Sequence, residues 1–284
     1  MNDTRRRQLR LLAGYALALA ALVFAARSLG LSLEQLSQLA AGLEPGMIVL
    51  ATVLLLVHNL LNREAFALLA RACGCPLPQP VLRRIWARSL LAKYIPGGIW
   101  QLAGRAWLMQ QQGCRARVAW YAGALEQVTS LALCMAIALT GWCLLQGRTL
   151  AAMLVAAASL AALLTLPSVL PGLVHRGQAC RSALTYAAAM PFYLAAHACL
   201  LALPLVALAT WLFAGTGAGL LAVVTPGGLG IREAVTSLLA GEQGVAVLSA
   251  MLVARVATLA VELLLSVQAW RGDTPGRSNP CADA

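Results

Sequence analysis

Two copies of the tripeptide Pro-Gly-Gly, at Pro96-Gly97-Gly98 and Pro226-Gly227-Gly228, each sit inside a long apolar stretch. Proline removes a backbone donor and glycine accepts nearly any backbone angle, so each copy breaks a helix. Within a bilayer, broken backbone persists only where protein or a water-filled cavity satisfies the freed polar groups. Arg105 follows the first break and Arg232-Glu233 the second. Two breaks about 130 residues apart, each followed by charge, predict a duplicated polar site at membrane depth and a transporter rather than a soluble enzyme.

Composition supports the bilayer. The chain is 61% hydrophobic and 11% charged, with a mean hydropathy of +0.78, whereas a soluble domain carries about 25% charged residues. This is the composition of a polytopic membrane protein. The net charge of +11 comes from 20 arginines and one lysine against ten acids. Most of the arginines stand in short segments flanking apolar spans, which reads as positive-inside topology and contact with anionic lipid headgroups, not as nucleic-acid binding. The eight cysteines show no metal-type pair spacing, and His58, His175 and His197 are far apart, so the thiols read as structural and no cofactor or metal is expected. The basic start and small residues near Ala25-Ala26 resemble a signal peptide, but the apolar run is long for one and reads as a retained first helix.

Apolar runs near the ~20-residue spanning length predict six transmembrane helices, at about 11–29, 46–70, 118–145, 150–168, 183–203 and 245–270. Leu31, Leu36, Leu39 and Leu43 recur at helical spacing, as in a helix lying along the interface. Two segments remain, about 79–112 and 206–241, and each holds one Pro-Gly-Gly. Arg5, Arg6, Arg7 and Arg10 set the N-terminus in the cytoplasm, and Arg271 and Arg277 set the C-terminus there too. Basic residues flank both ends of 79–112, while Glu242 follows 206–241. Arg148 is a mild exception to the charge rule.

The expected fold is therefore an all-α polytopic membrane protein. It has about six transmembrane helices plus two re-entrant hairpins in an inverted repeat. It forms a single integral membrane domain over 1–284, with repeats at about 11–145 and 150–270 and a polar tail at 271–284. That architecture sets a substrate site near the bilayer midplane.

Candidate site residues come from the hairpins and the helices after them. Residues 81–93 are amphipathic, with Arg83 and Arg84 snorkelling, and Arg88 and Lys93 nearer the break. Beyond the break, Trp100 precedes Gln101 and Arg105, which are four apart and share a helical face suited to phosphate. A helix N-terminus just after Pro-Gly-Gly adds oriented amides. An arginine capping the carbonyls of a neighbouring helix is the equal alternative. Glu126, Arg255 and Glu262 stand inside spans, where an ionised side chain costs at least ~2.5 kcal/mol unless paired or hydrated. Glu126 follows Pro96 by 30 residues and Arg255 follows Pro226 by 29, so the two repeats carry opposite charges at matching positions. Structural bridges (Arg105–Glu126, or Glu233–Arg255) and direct substrate contact both remain open. Arg63 and Glu64 read as structural. No motif of a hydrolase, zinc protease or phosphate loop occurs.

The basic helix entering Lys93-Tyr94-Ile95-Pro96-Gly97-Gly98-Ile99-Trp100-Gln101, the turn Gln111-Gln112-Gly113-Cys114-Arg115, Glu126, and the late Pro226-Gly227-Gly228-Leu229-Gly230-Ile231-Arg232-Glu233 together resemble the flippase-like family related to the transmembrane region of lysylphosphatidylglycerol synthase. The resemblance covers roughly 10–270. It implies a lipid substrate, of phospholipid, glycolipid or polyprenyl-phosphate type, and a bacterial-type inner membrane. No soluble aminoacyl-transfer domain follows in this chain, so synthase activity is not implied. The expectation is a lipid transporter that moves a phosphate-bearing headgroup between leaflets, with Arg105 and Arg232 binding the phosphate and Glu126 and Glu233 pairing with those arginines or with a headgroup amine. The alternatives are a non-transporting membrane partner of a glycosyltransferase and, less favoured, an intramembrane lipid-modifying enzyme.

Overall fold

The computed structural model describes residues 44–95, 99–170, 172–201, 203–221, 228 and 231–271, with backbone alone at 166–169 and 245. The expected first helix at 11–29, the interfacial segment, both proline-glycine pairs of the breaks, Gly98 and the polar tail lie outside these residues.

Helix α1 runs Pro45–Ala72, with Pro45 in its first turn where the missing amide proton costs nothing. Gly74, at φ +85°, turns the chain just past its end. The first break is flanked by α2 (Gln79–Ser89), which continues as a 3₁₀ turn over Leu90–Tyr94, and by α3 (Trp100–Gln111). Gly113 at φ +92° ends α3 and leads into α4 (Ala116–Leu145). Helices α5 (Thr149–Val169) and α6 (Arg176–Ala198) follow. The second break lies between α7 (Leu205–Leu221) and α8 (Ile231–Ala240), and a short 3₁₀ turn opens into α9 (Gly244–Arg271). The described residues are helical with no strand.

Helices α1, α4 and α9 are long and apolar enough to cross a membrane, while Thr149–Thr165 and Leu205–Leu221 are shorter apolar helices. A 28-residue helix is about 42 Å long, more than the ~30 Å hydrocarbon core. Over the expected fifth span, 183–203, the helix is α6, Arg176–Ala198, which is not among the helices long and apolar enough to cross a membrane. Its first two turns carry Arg176 and Arg181, which a search for uncharged runs excludes but a helix emerging into the interface tolerates. Pro204 lies just beyond its end.

Packing divides the bundle into two cores. One gathers the C-terminal halves of α1 and α9 and the N-terminal part of α4 around the first hairpin, with Phe66, Trp86, Met109 and Tyr186 buried in it. The other gathers the opposite halves of the same helices around the second hairpin, with Leu208, Phe213 and Met251 buried. The two hairpins therefore pack at opposite ends of the bundle. The long pairing of α1 with α6 runs between them, and each hairpin's second arm packs on the helix that follows it, α3 on α4 and α8 on α9. Helix ends carrying Arg71, Arg115, Arg117, Arg176 and Arg271 belong to the first hairpin's end; those carrying Glu44, Arg148 and Glu242 belong to the second's.

Cys73, Cys75 and Cys114 are buried free thiols at the mouth of the first hairpin. Burial pushes the thiols of Cys73 and Cys114 up to about 12, so they remain neutral packing groups.

Candidate functional site: a charged cavity between the hairpins

A cavity of about 240 Å³ lies between the two cores, where mid-helix residues of α1, α4, α6 and α9 meet both hairpins. Lys93, Gln101, Glu126, Gly228, Arg232, Arg255 and Glu262, all anticipated from the sequence, line it. Four of them, Lys93, Glu126, Arg255 and Glu262, belong to three of the five ion pairs in the described residues.

The first pair is Arg105–Glu126, joining α3 to α4. Arg105 is only 2% exposed. Its Nε donates to Ser89 Oγ at 2.9 Å, and its guanidinium stacks 4.5 Å from the Phe66 ring centre and 5.7 Å from that of Trp86. Trp86 Nε1 donates to the second Glu126 oxygen at 3.0 Å. Gln101 lines the cavity, but Arg105, one turn on, does not; it is held by Glu126, Ser89 and the two rings, with its Nη2 left without a hydrogen-bond partner. The second pair is Glu233–Arg255 at 3.4 Å, joining α8 to α9, with both side chains buried. The two pairs therefore make the same connection in each half of the chain with the charges exchanged. Each ties the second hairpin arm to the next long helix.

The third pair is Lys93–Glu262. Tyr94 Oη donates to the other Glu262 oxygen at 3.1 Å, so this fully buried carboxylate holds the 3₁₀ turn just before the first break. The other two pairs are peripheral: Glu64 accepts from Arg83 Nη2 at 2.6 Å and lies 3.7 Å from Arg63. Arg88 and Trp100 do not line the cavity. Arg88 donates through Nε and Nη2 to the Ala269 carbonyl at 3.0 and 2.9 Å and stacks over Trp270. It caps one of the carbonyls left open at the C-terminus of α9. Trp100 is 50% exposed at the start of α3. Pro96, Gly97, Gly98, Pro226 and Gly227 lie outside the described residues.

Arg232 differs from the other cations. It enters the cavity over Gly219, where an added Cβ would lie 3.2 Å from the Arg232 Cβ. Its Nη1 donates to Tyr193 Oη at 3.1 Å, its Nε has no partner, and no carboxylate of the described residues lies within ion-pair distance. Gly228, at φ +70°, packs on the Gly219 backbone and so holds the N-terminal end of α8 against α7.

A polar network around Arg232 was not legible as a site in the sequence. The Tyr193 ring lies 5.1 Å from His58 and 4.5 Å from His197. His58 Nδ1 is 2.9 Å from the Ala189 carbonyl and must donate there; Nε2 then accepts from Asn62 Nδ2 at 2.9 Å. Both ring nitrogens of a neutral imidazole are thereby satisfied. His197 Nδ1 likewise faces the Tyr193 carbonyl at 2.9 Å. The available signal was His58, Asn59 and Asn62 in one turn of an otherwise apolar span. Polar residues cost free energy at that depth unless they are used.

The chemistry on offer is recognition of charge: a small chamber with one guanidinium that has no acidic counterpart among the described residues. Compared with protein-family models and with curated proteins, the sequence matches none of them.

Proposed function

We propose that this protein is a flippase-like transporter of a bacterial-type inner membrane, moving a phosphate-bearing lipid between leaflets, with the phosphate held at Arg232. The observation that carries this reading is the polar cavity between the two hairpins, lined by an arginine with no acidic partner among the described residues. A buried, unpaired cation is costly in an apolar medium, and a phosphate that supplies its counter-charge is bound in proportion. The hairpins at opposite ends of the bundle favour an inverted repeat in which each enters the membrane from its own face. The arginine-rich end is then cytoplasmic by the positive-inside rule. The two exchanged ion pairs fasten the hairpins to α4 and α9, and one of them opening at a time gives the site access to one leaflet. Acyl chains stay in the bilayer, consistent with a chamber sized for a headgroup. The phosphate role falls to Arg232, since Arg105 does not line the cavity.

Reconstitution into liposomes with fluorescently labelled phospholipid tests this. Wild-type protein should make inner-leaflet label accessible to an external quencher, Arg232→Gln should not, and Arg232→Lys should retain part of the rate. Protein that moves no lipid yet co-purifies with a glycosyltransferase would refute transport and establish the membrane-partner role.

A further inference from the structure

We infer that the cavity takes exactly one net negative charge and so selects a phosphodiester over a phosphomonoester or a diphosphate. This rests on the reading of Arg232 as the phosphate ligand and specifies the class of phosphate. Every other charge at the cavity is matched within the protein. Lys93 faces Glu262, Arg255 faces Glu233 and Glu126 faces Arg105. Arg232 alone, among the described residues, has only a neutral phenol as partner. The break segments outside the described residues, 96–98, 222–227 and 229–230, contain no ionisable side chain, and 11–26 holds no acid and only the phenol of Tyr15, neutral at pH 8. They cannot supply a counter-charge. The histidines near Arg232 do not alter the balance: His58 is satisfied as a neutral ring, and His197 hydrogen-bonds a carbonyl.

A phosphodiester carries one charge at neutral pH and neutralises Arg232. A phosphomonoester carries close to two, and a diphosphate at least as many. The second charge would sit unpaired in a low-dielectric chamber or would have to draw Lys93 off Glu262, leaving that buried carboxylate without its cation. Both routes cost several kcal/mol by the general energetics of buried ions, so the diester should bind at least ~tenfold tighter.

The test is calorimetric titration of the full chain in dodecyl maltoside at pH 8, where histidines are neutral and a monoester is doubly charged. The probes are dihexanoyl-phosphatidylglycerol, dihexanoyl-phosphatidic acid, farnesyl diphosphate and inorganic phosphate. The diester lipid should bind at least ~tenfold tighter than the other three. Arg232→Gln should lose that affinity and Arg232→Lys keep most of it, with thermal melts showing both folded. Glu262→Gln frees Lys93 and should shift relative preference toward phosphatidic acid by ~tenfold or more. Equal or tighter binding of the monoester or diphosphate to wild type overturns the charge selection but leaves the phosphate-lipid reading standing. Inorganic phosphate matching the diester lipid makes this a free-anion site and overturns the inference. If no phosphate-bearing lipid binds folded wild type, the proposed function itself fails.

Discussion

Arg105→Gln is the most informative single change. The wild-type guanidinium is fully buried, paired with Glu126, bonded to Ser89 Oγ and stacked between Phe66 and Trp86. The variant leaves the Glu126 carboxylate with Trp86 Nε1 as its donor. Removing one member of a buried pair costs about 3–5 kcal/mol, because the other charge stays desolvated. Lost cation–π contact adds roughly 0.5–2 kcal/mol. By the size scaling of domains, 3–5 kcal/mol corresponds to a Tm lower by roughly 6–20 °C. Glu126→Gln alone should be comparably damaging, since it leaves Arg105 buried without an acid. The double variant replaces two charges by two amides that can bond to each other, to Ser89 and to Trp86. It should recover a large share of the loss, with a coupling free energy of about 2 kcal/mol or more. Thermal melts of the four proteins in one detergent, read by intrinsic fluorescence, supply the cycle. The double variant should also keep lipid binding. Additive losses, or a single-variant shift below about 2 °C, would refute the clamp. A stable double variant that binds no lipid would return Arg105 to the headgroup.

Gly228→Ala should be severe, because its φ of +70° disfavours a side chain and the new Cβ would lie 2.7–2.8 Å from the Gly219 backbone. Expression and melting temperature should fall sharply, while Gly177→Ala, with nothing within 4 Å of the added Cβ, should be close to neutral. Arg255→Gln should destabilise by leaving buried Glu233 without its 3.4 Å partner, and Glu233→Gln in the same chain should recover part of the loss, as in the first hairpin. In a cysteine-free background, a cysteine at Gly113 should label from the cytoplasm and one at Glu242 from outside. Both positions are exposed, and the reverse result would discard the inverted repeat.

The element order was legible because its causes are local. Proline at the start of α1, positive-φ glycines after α1, α3 and α4, and apolar runs without charge set where those helices begin and end, and the chain states them. The start of α6 was less legible for the same reason: charge was taken as a boundary, although the helix includes Arg176 and Arg181. The pairings Arg105–Glu126 and Glu233–Arg255 were among the readings that sequence spacing allowed, because a buried charge needs an opposite one and few were available. Which reading applied depended on rotation about the helix axis. Gln101 and Arg105 share a nominal face, yet one lines the cavity and the other is sealed behind it between Phe66 and Trp86.

Composition, Pro-Gly-Gly placement and the scarcity of charge, all properties of the chain read in order, pointed to an all-helical chain with helices long and apolar enough to cross a membrane. Tertiary structure alone decided that Lys93 meets Glu262 across 169 positions of sequence, that Arg88 caps α9, and that Tyr193 sits between His58 and His197 beside Arg232. It also decided which cavity cation has no acid beside it among the described residues. Charge balance is a sum over neighbours, and neighbours far apart in the chain are fixed only when helices pack.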